Sequence, residues 1–187
     1  MNSQSTKTIL VADIFGLTDE LIELSEAIGG NAIILEPYDG EKNLFSSEKS
    51  AYQFFTNEVG LEKYAGHVLN EISKYNKVRL IGFSVGAAAI WSCSTKLKKT
   101  QVKHAYCFYG SQIRNLMHTT PNFPVNVVLP KYEEHFSIQK MDELFQRMEN
   151  ITIQRSDFLH GFMNKRSCNF NQAEYNRYII KLRQQTI

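Results

Sequence analysis

The chain has 187 residues, 43% hydrophobic and 21% charged, with a formal net charge of +2. That describes one soluble globular domain, residues 1–187, with a sizeable core, and too small a charge excess to indicate nucleic acid. No apolar run reaches the roughly 20 residues of a membrane span, and Met1–Lys7 lacks the apolar core of a signal peptide. The three cysteines, Cys93, Cys107 and Cys168, show neither paired nor metal-ligand spacing, so a reducing cytoplasmic setting without a metal is expected.

Short apolar runs alternate with amphipathic segments along the chain, the pattern of a parallel sheet covered by helices. Thr8–Ala12 reads as a strand and runs into the turn Asp13-Ile14-Phe15-Gly16. A helix follows over about Asp19–Ile28, capped by Thr18 or Asp19 and ended by Gly29-Gly30. Ala32–Leu35 is the second strand. Residues 41–60 are less regular, and two readings stay open: a partial lid, or a surface excursion with a small satellite core. Leu61–Tyr75 is an amphipathic helix with Leu61, Tyr64, Ala65, Val68, Leu69 and Ile72 on one side.

The next strand, Val78–Ile81, runs into Gly82-Phe83-Ser84-Val85-Gly86 and then a small-residue helix to about Lys96. Strand, sharp turn and helix with a serine at the apex make a nucleophile elbow, where the flanking glycines avoid the clash that a Cβ would cause. Further strands are read at Lys103–Phe108, Pro124–Leu129 and Asn150–Gln154, with helices at Ile138–Glu149 and Gln172–Gln184. The fold class is therefore α/β: a three-layer, doubly wound, mostly parallel sheet of about six strands. Ligands in such sheets sit at the strands' carboxyl edge. Ser84, the loop carrying Glu133 and Glu134, and the loop carrying His160 all follow strand ends and should converge there.

A serine hydroxyl needs a base, and the base needs a carboxylate to hold its tautomer. The order serine, acid, histidine is that of α/β-hydrolases. His160 is the candidate base. His67 lies on a helix, His104 near a strand start, His118 in a loop with no other signal, and His135 on the acid's own loop. Glu134 is the first choice for the acid and Glu133 the second. Asp157 is too close in sequence to His160 to reach its far nitrogen, and Asp142 sits on a solvated helix. The backbone N–H groups of Val85 and Ile14 are the candidate oxyanion donors. Asp13, close to Ser84 in this reading, is either a pocket residue or a turn residue, and Phe15, Phe83 and Tyr109 complete the expected substrate pocket.

These segments also resemble the dienelactone hydrolase family of α/β-hydrolases. ILVADIFGL at Ile9–Leu17 resembles its opening strand and (D/E)-I-F-G turn, and AIILEPY at Ala32–Tyr38 its second strand. GFSVG at Gly82–Gly86 resembles its elbow, and Tyr109-Gly110 the turn after the next strand. Val127–Phe136 and Leu159-His160-Gly161-Phe162 resemble its acid loop and His-Gly-Phe motif. The resemblance implies a minimal α/β-hydrolase fold and the roles above for Ser84, His160, Ile14 and Val85. The family's aspartate precedes a His-Phe pair, which favours Glu134 here. The namesake's elbow cysteine is Ser84 in this chain, which points towards serine esterases. Its arginine four residues after the base is replaced by Asn164, with Lys165 and Arg166 beyond. The expected activity is hydrolysis of a small-molecule carboxylic ester or lactone through an acyl-enzyme, with no cofactor, nucleic acid or membrane partner. A thioesterase or acyltransferase using the same residues, and a catalytically weak hydrolase-like binding protein, are the alternatives.

Overall fold

The computed structural model describes residues 6–40 and 45–184; of the irregular 41–60 stretch, 41–44 lie outside the described residues. Among the described residues, six strands form one parallel sheet: β1 Lys7–Val11, β2 Ile33–Leu35, β3 Val78–Phe83, β4 Val102–Phe108, β5 Val125–Leu129 and β6 Ile151–Arg155. Their order is β2-β1-β3-β4-β5-β6, and every neighbouring pair is parallel. The helices are α1 Asp19–Ala27, α2 Glu48–Phe54, α3 Gly60–Ser73, α4 Val85–Cys93, α5 Ile138–Phe145 and α6 Gln172–Gln184.

Strand side chains alternate between two separate cores, which is how a sheet with helices on both faces must be built. Ile9, Val11, Leu80, Cys107 and Val127 face the core shared with α3, α4 and α5. Leu10, Ile81, Phe108 and Val128 face the core shared with α1 and α6. The α3 stripe Tyr64, Val68 and Ile72 is buried at helical spacing. Helix α4 is apolar nearly all round and almost wholly buried, because it lies between the sheet and α3.

The irregular segment is now defined. Ser47 caps α2 with a reciprocal capping box, and one wide π-helical turn, Phe55–Val59, leads straight into α3. Phe54 packs on Phe45 and Tyr38, and Phe55 on Tyr64. Tyr38, Phe55 and Tyr64 belong to the core shared with α3, α4 and α5, and Phe45 packs against it, so the segment extends that core rather than forming a separate one; α2 also forms one wall of the cleft described next.

The chain winds from β1 outward to β2, then returns to β3 and continues in the opposite direction. The reversal leaves the loops after β1 and β3 side by side at the carboxyl edge, the place where open α/β sheets form their crevice. The turn after β1 carries Asp13 and Ile14, and the turn after β3 carries Ser84.

Candidate active site

Ser84 stands between β3 and α4 with φ 51° and ψ −113°, a backbone conformation that a residue with a Cβ adopts only under strain. Two tight approaches enforce it. A Cβ on Gly86 would lie 2.3 Å from Val11 O, and one on Gly82 would lie 2.8 Å from Ala87 N. The elbow therefore needs glycine at both positions because α4 is pressed against the end of β1 at Gly86 and against the end of β3 at Gly82. Ser84 N–H is held by Phe108 O at 2.9 Å, and Ser84 O accepts from Ala88 N–H. The hydroxyl is what remains free to act.

His160 Nε2 lies 3.0 Å from Ser84 Oγ, and His160 Nδ1 lies 2.7 Å from Glu133 Oε1. A carboxylate only accepts, so Nδ1 carries the proton and Nε2 is left to accept from the serine. Burial alone would raise the Glu133 carboxyl; bonds from His160 and Ser111, with Arg114 nearby, outweigh it and hold the group below its ordinary value.

The acid differs from the first expectation: Glu133, not Glu134, meets the base. The reason lies in the backbone register between the two loops. Ser156 N–H donates to Leu129 O at 2.9 Å, and Lys131 N–H donates to Phe158 O at 2.8 Å. These bonds lace the acid loop to the base loop. Glu133 then turns inward, while Glu134 is exposed at the outer rim of the cleft. Asp142 is also corrected: it is buried and bonded to Arg155 rather than solvated.

His160 is supported from three sides. The Tyr109 ring lies behind it at 4.8 Å. Asn169 donates to its carbonyl at 2.9 Å. Gly161, at φ +88°, brings the backbone so near Ser167 that a Cβ would lie 2.4 Å from Ser167 Oγ. Ser167 in turn donates to Glu48 of α2 at 2.6 Å, tying the base loop to the cleft wall.

Ile14 and Val85 both line the cleft beside Ser84. Val85 is the first residue of α4, so its N–H has no partner within the helix. Asp13 O accepts from Gly16 N–H at 3.1 Å. In a trans peptide the Ile14 N–H points opposite that carbonyl, away from the turn's interior. The Tyr38 hydroxyl donates to Ile14 O at 2.6 Å and fixes the following peptide as well.

The residues expected to form the substrate pocket lie apart from the cleft at Ser84, and Asp13, Phe83 and Tyr109 line a small separate cavity. Ser84 and His160 open onto a cleft of about 470 Å³ whose walls include Tyr52, Tyr132, Phe136 and Leu159. Asp13, Phe15, Phe83 and Tyr109 do not line it. Phe83 and Tyr109 are packed with Phe108 in the core beneath the site. Phe15 is buried with the Arg166 guanidinium 5.5 Å from its ring. Asp13 accepts from Phe15 N–H at 3.0 Å and from Asn164 at 2.6 Å; burial pushes its carboxyl up despite those bonds. Its turn role is the one realised. The side chains that sequence reasoning missed are Ser111 and Arg114. Ser111 directly follows the Tyr109-Gly110 turn, so its place at a strand's carboxyl end was the available signal.

No family model matches the sequence. The chain is 31% identical over 174 residues to the uncharacterized protein YczH of Bacillus subtilis (strain 168), covering 88% of this chain and 84% of that one. It belongs to the YczH family. Solved structures give the fold of this family member. The dienelactone hydrolase-like promiscuous phosphotriesterase P91 from metagenomic libraries superposes with a TM-score of 0.67 at 14% identity, over 99% of this chain and 87% of that one. Est1E from Butyrivibrio proteoclasticus, with ferulic acid bound, gives 0.64 at 10% identity, over 98% and 89%. A hydrolase of the alpha/beta superfamily from Xanthomonas campestris gives 0.62 at 12% identity, over 97% and 96%. The YczH-family chain thus has the α/β-hydrolase fold, and its likeness to dienelactone hydrolases holds at the level of that fold.

Proposed function

We propose that this chain is a serine-dependent hydrolase of small-molecule carboxylic esters or lactones, acting in the cytoplasm. The observation that carries the reading is the continuous bonded row from Ser84 Oγ through His160 to Glu133, opening on a cleft. Its fold neighbours are hydrolases, which supports the reaction class.

Ser84 Oγ attacks the ester carbonyl carbon as its proton passes to His160 Nε2. The imidazolium is stabilised by Glu133. The carbonyl oxygen takes the negative charge and is held by the N–H groups of Ile14 and Val85, each worth about 3 kcal/mol of barrier. Collapse breaks the C–O bond, and the leaving alkoxide takes the proton from Nε2. Water then attacks the acyl-enzyme with His160 again as base, releasing the acid and restoring Ser84.

The cleft walls suit an apolar portion of the substrate. Among the described residues, six large apolar side chains are exposed, and three of them, Tyr52, Tyr132 and Leu159, line this cleft. Such clustering marks a contact surface rather than scattered exposure. Turnover of p-nitrophenyl acetate and butyrate tests the proposal. Release of p-nitrophenol that disappears in Ser84→Ala is expected; equal release by wild type and Ser84→Ala would overturn it.

A further inference from the structure

Ser111 reaches both members of the pair that orients the nucleophile. Its hydroxyl donates to Glu133 Oε1 and lies 3.1 Å from His160 Nδ1. The three polar atoms form a triangle, in which Nδ1–H is offered to Glu133 with the Ser111 oxygen alongside. The serine's own backbone is anchored away from that triangle. Ser111 N–H donates to Tyr109 O at 2.9 Å, and Ser111 O accepts from Arg114 Nη1 at 2.6 Å. Arg114 is in turn held over the Phe136 ring, 4.9 Å from its centroid, on the acid loop.

A glutamate needs this help more than an aspartate does. It carries one more rotatable bond before the carboxylate, whose terminal torsion is broad in both residues. A carboxylate serving a base must nevertheless hold one oxygen on Nδ1 throughout turnover, because small misplacements are costly. A second donor on the same oxygen removes that freedom. Glu133 is the glutamate of the pair that receives one.

We infer that Ser111 is a positioning residue whose hydroxyl holds Glu133 Oε1 on His160 Nδ1 and thereby keeps Nε2 aimed at Ser84. The inference rests on the serine-hydrolase reading and adds a fourth side chain to it. Arg114 acts one step further out by fixing the Ser111 main chain.

The test is a double-mutant cycle on p-nitrophenyl butyrate hydrolysis, with thermal melts confirming that each variant is folded. Ser111→Ala is expected to lower kcat about 10- to 30-fold with KM changed less than about twofold, since the hydroxyl is engaged with Glu133 and His160. Ser111→Thr, which keeps the hydroxyl, should stay within about threefold of wild type. In a Glu133→Gln background, Ser111→Ala should cost less than about twofold more, because the effect runs through the carboxylate. A merely structural role would instead give losses that multiply. Should Ser111→Ala not fold, Ser111→Cys supplies a similar size with a weak donor and the same expected loss. Fluorophosphonate labelling of wild type separates the two claims. Labelled Ser84 with an unchanged kcat in Ser111→Ala, or with multiplying losses in the cycle, overturns the role of Ser111 alone. Unlabelled wild type overturns the serine-hydrolase reading and this role with it.

Discussion

Two half-buried polar rows cross this fold, and each contains a histidine. One runs Ser84–His160–Glu133 at the carboxyl edge. The other lies in the sheet face beneath α6, where His104 Nε2 meets Asn126 at 2.6 Å, Asn126 accepts from Gln154, and Gln154 accepts from Lys181 and Tyr178. Both sit among aromatic rings. They differ in what lies at the end of the row. His160 points its free nitrogen at a serine held at φ 51° on the wall of an open cleft. The His104 row ends among α6 side chains, with His104 Nδ1 buried and unpartnered among the described residues. Burial, with Arg79 and Lys181 nearby, pushes His104 down to about 4, so it stays neutral. Proximity of polar groups does not by itself make chemistry; a nucleophile, an acid partner and access to solvent do.

Substituting the two histidines should separate the rows most sharply. His160→Ala should lower ester turnover by about 10⁴-fold or more, as loss of a triad base does. His104→Gln should leave it within about twofold, since that row touches no reacting atom. Comparable losses in both would erase the distinction. Within the first row, Glu133→Gln should cost on the order of 10²- to 10⁴-fold in kcat, and Glu134→Gln less than about threefold. A reversal of that ranking, read by steady-state kinetics, would return the acid to Glu134.

Stability supplies two smaller contrasts. Ser84→Gly should abolish turnover yet raise the unfolding free energy by about 0.5–1 kcal/mol, because glycine adopts the apex conformation without strain. An unchanged or lower denaturation midpoint would mean that the elbow stores no strain. Acid should then destabilise the rows in different windows. His104 titrates at about 4 when folded and 6.5 ordinarily, so the unfolded chain takes up its proton first as pH falls. Stability should decline by about 1–2 kcal/mol between roughly pH 6.5 and 4, allowing for the partial exposure of the ring. His104→Gln should flatten that decline. The lowered Glu133 carboxyl acts in the same direction at lower pH: its stabilising contribution is present at neutral pH and is lost as pH falls below the ordinary 4.5. Urea titrations at several pH values resolve both windows.

Most of the fold was legible because hydrophobic period and glycine placement are local signals. The run Val78–Ile81, the turn at Ser84 and the stripe Tyr64, Val68, Ile72 need no tertiary information. The convergence of Ser84, His160 and the acid loop was legible too, since parallel topology sends every strand end to one edge. The choice between adjacent glutamates was not. It depends on the bonds Lys131 N–H to Phe158 O and Ser156 N–H to Leu129 O, which join loops far apart in sequence. The pocket residues failed for a similar reason. Phe15, Phe83 and Tyr109 neighbour the site along the chain but are buried: alternation along β3 turns Phe83 into the core beneath, the positive φ of Tyr109 after β4 sends its ring there too, and the cleft is walled instead by α2 and the two late loops. Residues 41–60 were ambiguous because α2 and the wide turn after it break any single period.

In the proposed mechanism His160 and Glu133 make Ser84 a nucleophile. Incubation with a fluorophosphonate probe followed by peptide mapping by mass spectrometry tests it directly. One adduct is expected, on Ser84, that forms rapidly in wild type, slows by about 10²-fold or more in Glu133→Gln, and is lost in His160→Ala. Folded wild-type protein that carries no adduct on Ser84, or that reacts equally fast without His160, contradicts it.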